Sequence, residues 1–135
     1  LKIIVRKKVV GMISQKIVKI LKNPKHMGKI ESPDGVGKVT LGEPHCEDEV
    51  WFYIKVKDDK IVDAKFEAFA CAPALVTSNI AAELALGKTI GEAKKLSKMD
   101  VSSYLGGIPQ IERKCADLGT DALKAAINDY LKRGQ

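Results

Sequence analysis

The residues best equipped for chemistry are three cysteines, Cys46, Cys71 and Cys115, and the carboxylate of Asp48, two positions beyond the first of them. Thiolates are soft ligands and strong nucleophiles, and three of them with one carboxylate make a donor set for iron or zinc. The gaps of 25 and 44 residues match no zinc-finger spacing, so only the fold can bring the set together. Two readings stand open here: a metal-binding set, or three separate cysteines buried as small hydrophobes. His26 and His45 each read as loop residues. They make a weak case for a nucleophilic-cysteine enzyme, because such a thiol needs a base within reach and side chains adjacent in sequence, as His45 and Cys46 are, often diverge.

The predicted elements put every cysteine at an element end. Ser14–Leu21 reads as a short amphipathic helix with Ser14 as its N-cap, stopped by Asn23-Pro24. Residues 28–36 form a turn-rich loop around Pro33-Asp34-Gly35, followed by a strand near Lys38–Leu41. Val50–Val56 alternates with Val50, Phe52, Ile54 and Val56 on one face, and Val62–Ala70 with Val62, Ala64, Phe66, Ala68 and Ala70. Lys57-Asp58-Asp59-Lys60 links them as a hairpin without the Asn-Gly or Asp-Gly signature that would name its turn. Pro73 opens a helix with Val76, Ile80 and Leu84 on one stripe, and Gly87 ends it. Thr89-Ile90-Gly91-Glu92 has the capping-box pattern, Asp100 caps a further turn, and a last helix to about Lys132 turns Leu123, Ile127, Tyr130 and Leu131 inward. Cys46 thus precedes a strand, Cys71 lies between a strand and a helix, and Cys115 stands near the start of the last helix. A thiolate near a helix N-terminus is favoured by the macrodipole and by unpaired N–H groups.

Strands first and helices after them define an α+β fold: a three-stranded antiparallel sheet with helices packed on one face. The length of 135 residues suits one domain, with residues 12–135 as its body and residues 1–11 as a basic N-terminal extension. The net charge is +6, of which Lys2, Arg6, Lys7 and Lys8 supply +4, leaving +2 for the body. Lysines and carboxylates alternate there, and aromatics are only 5%, so no basic stripe with interleaved aromatics points to nucleic acid. No apolar run reaches the length of a membrane span. An odd cysteine count with no other sign of secretion fits free thiols in the cytoplasm.

With these residues in view, the chain resembles the iron–sulfur cluster assembly scaffolds, which also occur as the N-terminal domain of the nitrogen-fixation scaffold. Asn23-Pro24 with Met27-Gly28, Pro33-Asp34-Gly35-Val36-Gly37, Gly42-x-Pro44-x-Cys46-x-Asp48, Phe69-Ala70-Cys71-Ala72-Pro73-Ala74, Lys114-Cys115-Ala116 and Asp121-Ala-Leu-Lys-Ala-Ala-Ile follow the family's motifs in order. The resemblance implies that Cys46, Cys71 and Cys115 ligate a [2Fe–2S] cluster or accept sulfur, and that Asp48 keeps the site labile. It implies a cysteine desulfurase and apo iron–sulfur proteins as partners, a non-enzymatic role, Zn2+ in the cluster-free form, and a monomer or weak homo-oligomer. Three departures stand out. Glu47 replaces a glycine, and Lys114 replaces the histidine before the third cysteine, leaving His45 as the imidazole beside the set. Ile108-Pro109-Gln110-Ile111-Glu112 replaces the Leu-Pro-Pro-Val-Lys chaperone motif, which argues against a dedicated Hsp70-type chaperone. Lys114 is also similar to the sulfur-mobilisation branch, which implies the alternative of a zinc-binding sulfur acceptor relaying persulfide sulfur. That branch carries an insertion between its second and third cysteines for which this chain has no room.

Overall fold

The computed structural model describes the backbone of residues 18–43, 46–70, 72–104 and 113–134, and within them the side chains outside 41–43, 46–48, 72–73, 98 and 113–116. After a helical turn at 18–22 come three strands, β1 (Gly35–Glu43), β2 (Cys46–Lys57) and β3 (Lys60–Phe69). Four helices follow: α1 (Ala72–Ala85), α2 (Ile90–Lys94), α3 (Lys98–Tyr104) and α4 (Arg113–Arg133). The sheet is antiparallel in the order β1-β2-β3. The expected α+β architecture is therefore the observed one. The strands run longer than alternation alone predicts: β1 begins at Gly35, inside the expected loop, and β2 begins at Cys46 rather than Val50.

One face of the sheet carries the core. Val50, Phe52, Ile54, Ile61, Ala64 and Phe66 are fully buried, and Phe52 lies opposite Phe66 with ring centroids 6.5 Å apart. Burial of each of the larger of these side chains contributes roughly 1.5–3 kcal/mol. Ile80 and Ala81 of α1 and Leu123 and Ile127 of α4 are also wholly buried, and both helices pack on the strands. The other face is polar. There Lys38 Nζ pairs with Glu49 Oε1 at 2.9 Å and stands 4.9 Å from the Trp51 ring centre, and Tyr53 Oη donates to Glu67 Oε1 at 2.7 Å.

The inward positions of β1 are Gly35, Gly37 and Val39, opposite Ile54, Phe52 and Val50. With no side chain at Gly37, α4 comes down onto the strand: a Cβ there would lie 2.4 Å from both the Ala122 carbonyl oxygen and the Ala126 amide nitrogen. Asp129 near the far end of α4 accepts the Val36 N–H at 2.9 Å and pairs with Arg133, which also donates to the Pro33 carbonyl. Asp34 accepts the Val56 N–H at 2.8 Å, which ties the same loop to β2.

Several local expectations change. Val62, expected inward, is 51% exposed, because the register shifts between Lys55 and Val56. Val56 pairs with Ile61 while Lys55 pairs with Asp63, so Val62 is the extra residue of a β-bulge and Ile61 takes the core position. Asp58 and Asp59 both have positive φ, 53° and 64°, which identifies a type I′ hairpin turn built without glycine. Asp100 does not act as the N-cap of α3. Ser97 does, accepting the Met99 N–H at 3.2 Å, while Asp100 reaches back to the Ser97 N–H at 2.9 Å. The capping box at Thr89 and Glu92 forms as expected. Leu131 is 39% exposed rather than inward; Ala122 and Ala126 supply the close contact on that helix.

Candidate functional site

The hairpin and the helix packing decide where the cysteine-bearing element ends lie. Cys46 is the first residue of β2, opposite Glu43, and Asp48 lies opposite Leu41. Glu49, next along β2, pairs with Phe69, the last residue of β3. Cys71 lies outside the described residues, between Phe69 and Ala72, where α1 starts. One end of the sheet therefore holds the start of β2 and the finish of β3.

The last helix comes to the same end. Gly35 abuts Ala126 and Tyr130, and Gly37 abuts Ala122 and Ala126, so advancing along β1 toward Glu43 means moving back along α4 toward Arg113. Cys115 is the third residue of α4. From Ala122 back to Cys115 is roughly 10 Å at 1.5 Å per residue, a distance that three residues cover along a strand. The first turn of α4 is thus level with about Thr40, near the Leu41–Asp48 and Glu49–Phe69 pairs. The side chains of Cys46, Asp48 and Cys115 lie outside the described residues, as do His45, the Lys114 side chain and the Ile108–Glu112 segment.

Two further facts bear on thiolate chemistry. Neither α1, of 14 residues, nor α4, of 21, carries an acid in its first turn, so no carboxylate of those turns occupies the positive end of either helix. Phe69 is 69% exposed, so a large aromatic surface stands two residues before Cys71.

His26 departs from its reading as a loop residue. It is buried, 5% exposed, with Nε2 hydrogen-bonded to Glu83 Oε2. Its N–H donates to Asn79 Oδ1 at 3.0 Å, and its carbonyl accepts the Phe66 N–H at 2.9 Å. Gly28 N–H donates to the Phe66 carbonyl at 2.7 Å, so residues 26–28 pair with the free edge of β3. Local periodicity gave no sign of this, because the partners that bury His26 are 40 to 57 residues away. Among the described residues, no helix is long and apolar enough to cross a membrane.

Comparison with known proteins agrees with this architecture. Residues 12–135 match the family described as NifU-like N terminal domain. The chain is 48% identical over 122 residues to the iron-sulfur cluster assembly scaffold protein IscU 1 of Archaeoglobus fulgidus, covering 90% of this chain and 78% of that one. It is 36% identical over 122 residues to the iron-sulfur cluster assembly scaffold protein IscU of Aquifex aeolicus, covering 89% and 76%. The crystal structure of a NifU-like N-terminal protein from Brucella abortus shares the fold at a TM-score of 0.70, with 20% identity and coverage of 92% and 98%. The family match spans nearly the whole chain and the two relatives cover most of it, so the chain belongs to the NifU-like N-terminal domain family.

Proposed function

We propose that this protein is a scaffold on which a labile [2Fe–2S] cluster is assembled from iron and desulfurase-derived sulfur and then passed to apo-proteins. The observation that carries this reading is the meeting of the cysteine-bearing element ends at one end of the sheet, in a chain 48% identical to a protein named as such a scaffold. In this reading residues 12–135 form the scaffold domain and residues 1–11 are a basic extension.

Cys46, Cys71 and Cys115 are the thiolate ligands and sulfur acceptors. Cys71 directly precedes α1 and Cys115 lies in the first turn of α4, and a thiolate at the positive end of a helix is the favoured, reactive form. Sulfur arrives when a scaffold thiolate attacks the outer sulfur of the desulfurase persulfide. The donor S–S bond breaks, the donor cysteine leaves as thiolate, and the scaffold cysteine holds the persulfide. Two electrons from an external thiol reductant, which is oxidised to its disulfide, release that sulfur as sulfide for the cluster. Asp48 offers a hard oxygen where thiolate would bind iron more tightly, so the cargo is held and still released. Without cargo the same donors suit Zn2+. In this reading the protein itself turns over no substrate, and Ile108–Glu112 in place of the family's docking motif argues against a dedicated Hsp70-type chaperone.

Anaerobic reconstitution with iron, cysteine, a desulfurase and a thiol reductant tests this directly. The expected product is coloured, with sulfur-to-iron charge-transfer bands, and Cys46→Ser, Cys71→Ser and Cys115→Ser each diminish them. A colourless product with intact thiols contradicts the proposal.

A further inference from the structure

A second site lies away from the cysteines. A cleft of about 430 Å³ opens between the helical turn at 18–22, the segment at 23–26, α1 and α3. Its volume falls in the range of small-molecule sites. Asn79 and Glu83 reach it from the later part of α1, roughly 10 and 16 Å along the helix from Ala72.

Three kinds of surface meet there. His26 and Glu83 form the polar floor, with the Glu83 side chain 40% exposed and held in place by the buried imidazole. Lys19 and Lys25, both exposed, bring two cations. Ile20, half-buried, supplies an apolar wall, backed by the wholly buried Ile80. A simple anion entering the cleft meets the Glu83 carboxylate, and a simple cation meets two lysines. A neutral apolar guest strips water from all of these charges without replacing it. A small molecule with both charges and an apolar body satisfies every surface at once.

From this match of charges we infer that the cleft binds a free α-amino acid with an apolar side chain. The α-carboxylate pairs with Lys19 and Lys25, the α-ammonium with Glu83, and the side chain packs on Ile20. His26 is a positioning residue that aims Glu83. This site is independent of the cluster chemistry and needs neither iron nor the cysteines.

The test is titration of the full, metal-free chain with L-leucine, followed by calorimetry and by amide shifts. Isocaproate, which lacks the ammonium, and isoamylamine, which lacks the carboxylate, are the comparators. The expected result is saturable leucine binding with shifts at His26 and Asn79, and binding of each comparator weaker by about tenfold or more. Lys25→Met, at an exposed position that leaves folding intact, weakens leucine but not isoamylamine. Glu83→Gln, checked for folding by circular dichroism, removes the preference for leucine over isocaproate. Equal binding of leucine and isocaproate to the unaltered chain, shifts confined to other surfaces, or no saturable binding overturns the proposal.

Discussion

Gly119 of α4 and Ser78 of α1 meet backbone to backbone: a Cβ on Gly119 would stand 2.7 Å from the Ser78 amide nitrogen. This crossing fixes how α4 lies over α1, the helix that starts beside Cys71. Gly119→Ala gains helix propensity of about 1 kcal/mol but forces apart two main chains that have no flexible side chain to give way. The net expectation is a loss of about 1–2 kcal/mol in urea unfolding. A more stable Gly119→Ala variant would show that the helices separate freely.

The bulge at Val62 separates two neighbours that look alike in sequence. Ile61 is fully buried, and Ile61→Ala should cost about 2–5 kcal/mol through lost burial and the cavity left behind. Val62→Thr, on the exposed side, should change stability by no more than about 0.5 kcal/mol. Reversal of that order would place the register shift elsewhere.

Tyr53 should titrate late. Burial, and then its hydrogen bond to Glu67 and the charge of that carboxylate, push its phenol up to about 12 from the usual 10.0. The folded state holds the proton more tightly than the unfolded chain. Its contribution is therefore complete below about pH 10 and lost as pH rises toward about 12. Tyrosinate absorbance should show one late phase that Tyr53→Phe removes and Glu67→Gln moves to lower pH. An unmoved phase in Glu67→Gln would leave burial as the sole cause.

At the start of α2, the Thr89 side chain accepts the Glu92 N–H at 3.2 Å and Glu92 returns to the Thr89 N–H at 3.1 Å. Thr89→Ala should cost about 1 kcal/mol, and Thr89→Ser should restore most of it. Thermal unfolding of the three proteins checks this, and equal midpoints would mean that the cap is replaced by water.

For the proposed cluster, Asp48→Ala should lengthen its lifetime several-fold, since the oxygen donor that promotes release is gone. Decay of the visible bands after reconstitution is the measurement. Identical decay in both proteins would remove Asp48 from the release step.

Much of the fold was legible because short-range patterns and burial coincide. Phe52 and Ile54, and Ala64 and Phe66, alternate as half-buried strands must, and both patterns fill the core. Thr89 and Glu92 cap a helix through contacts three residues apart, which sequence spacing captures directly. The ordered motifs around Cys46, Cys71 and Cys115 are likewise readable from residue types alone, and the family match covers them.

Other features depend on distant neighbours, and no local pattern encodes them. Val62 belongs to the same alternation as Ala64, but pairing with β2 slips by one residue and turns it outward. His26 is in a proline-stopped segment that reads as surface until α1 and β3 close over it with Asn79, Glu83 and Phe66. No local spacing around Gly37 or Gly119 shows that α4 settles there against β1 and α1. In each case the outcome is set by which backbones approach one another, an energy shared between elements far apart in the chain. Residue types and their order named the chemistry available to this protein; helix and sheet packing chose which surfaces could carry it out.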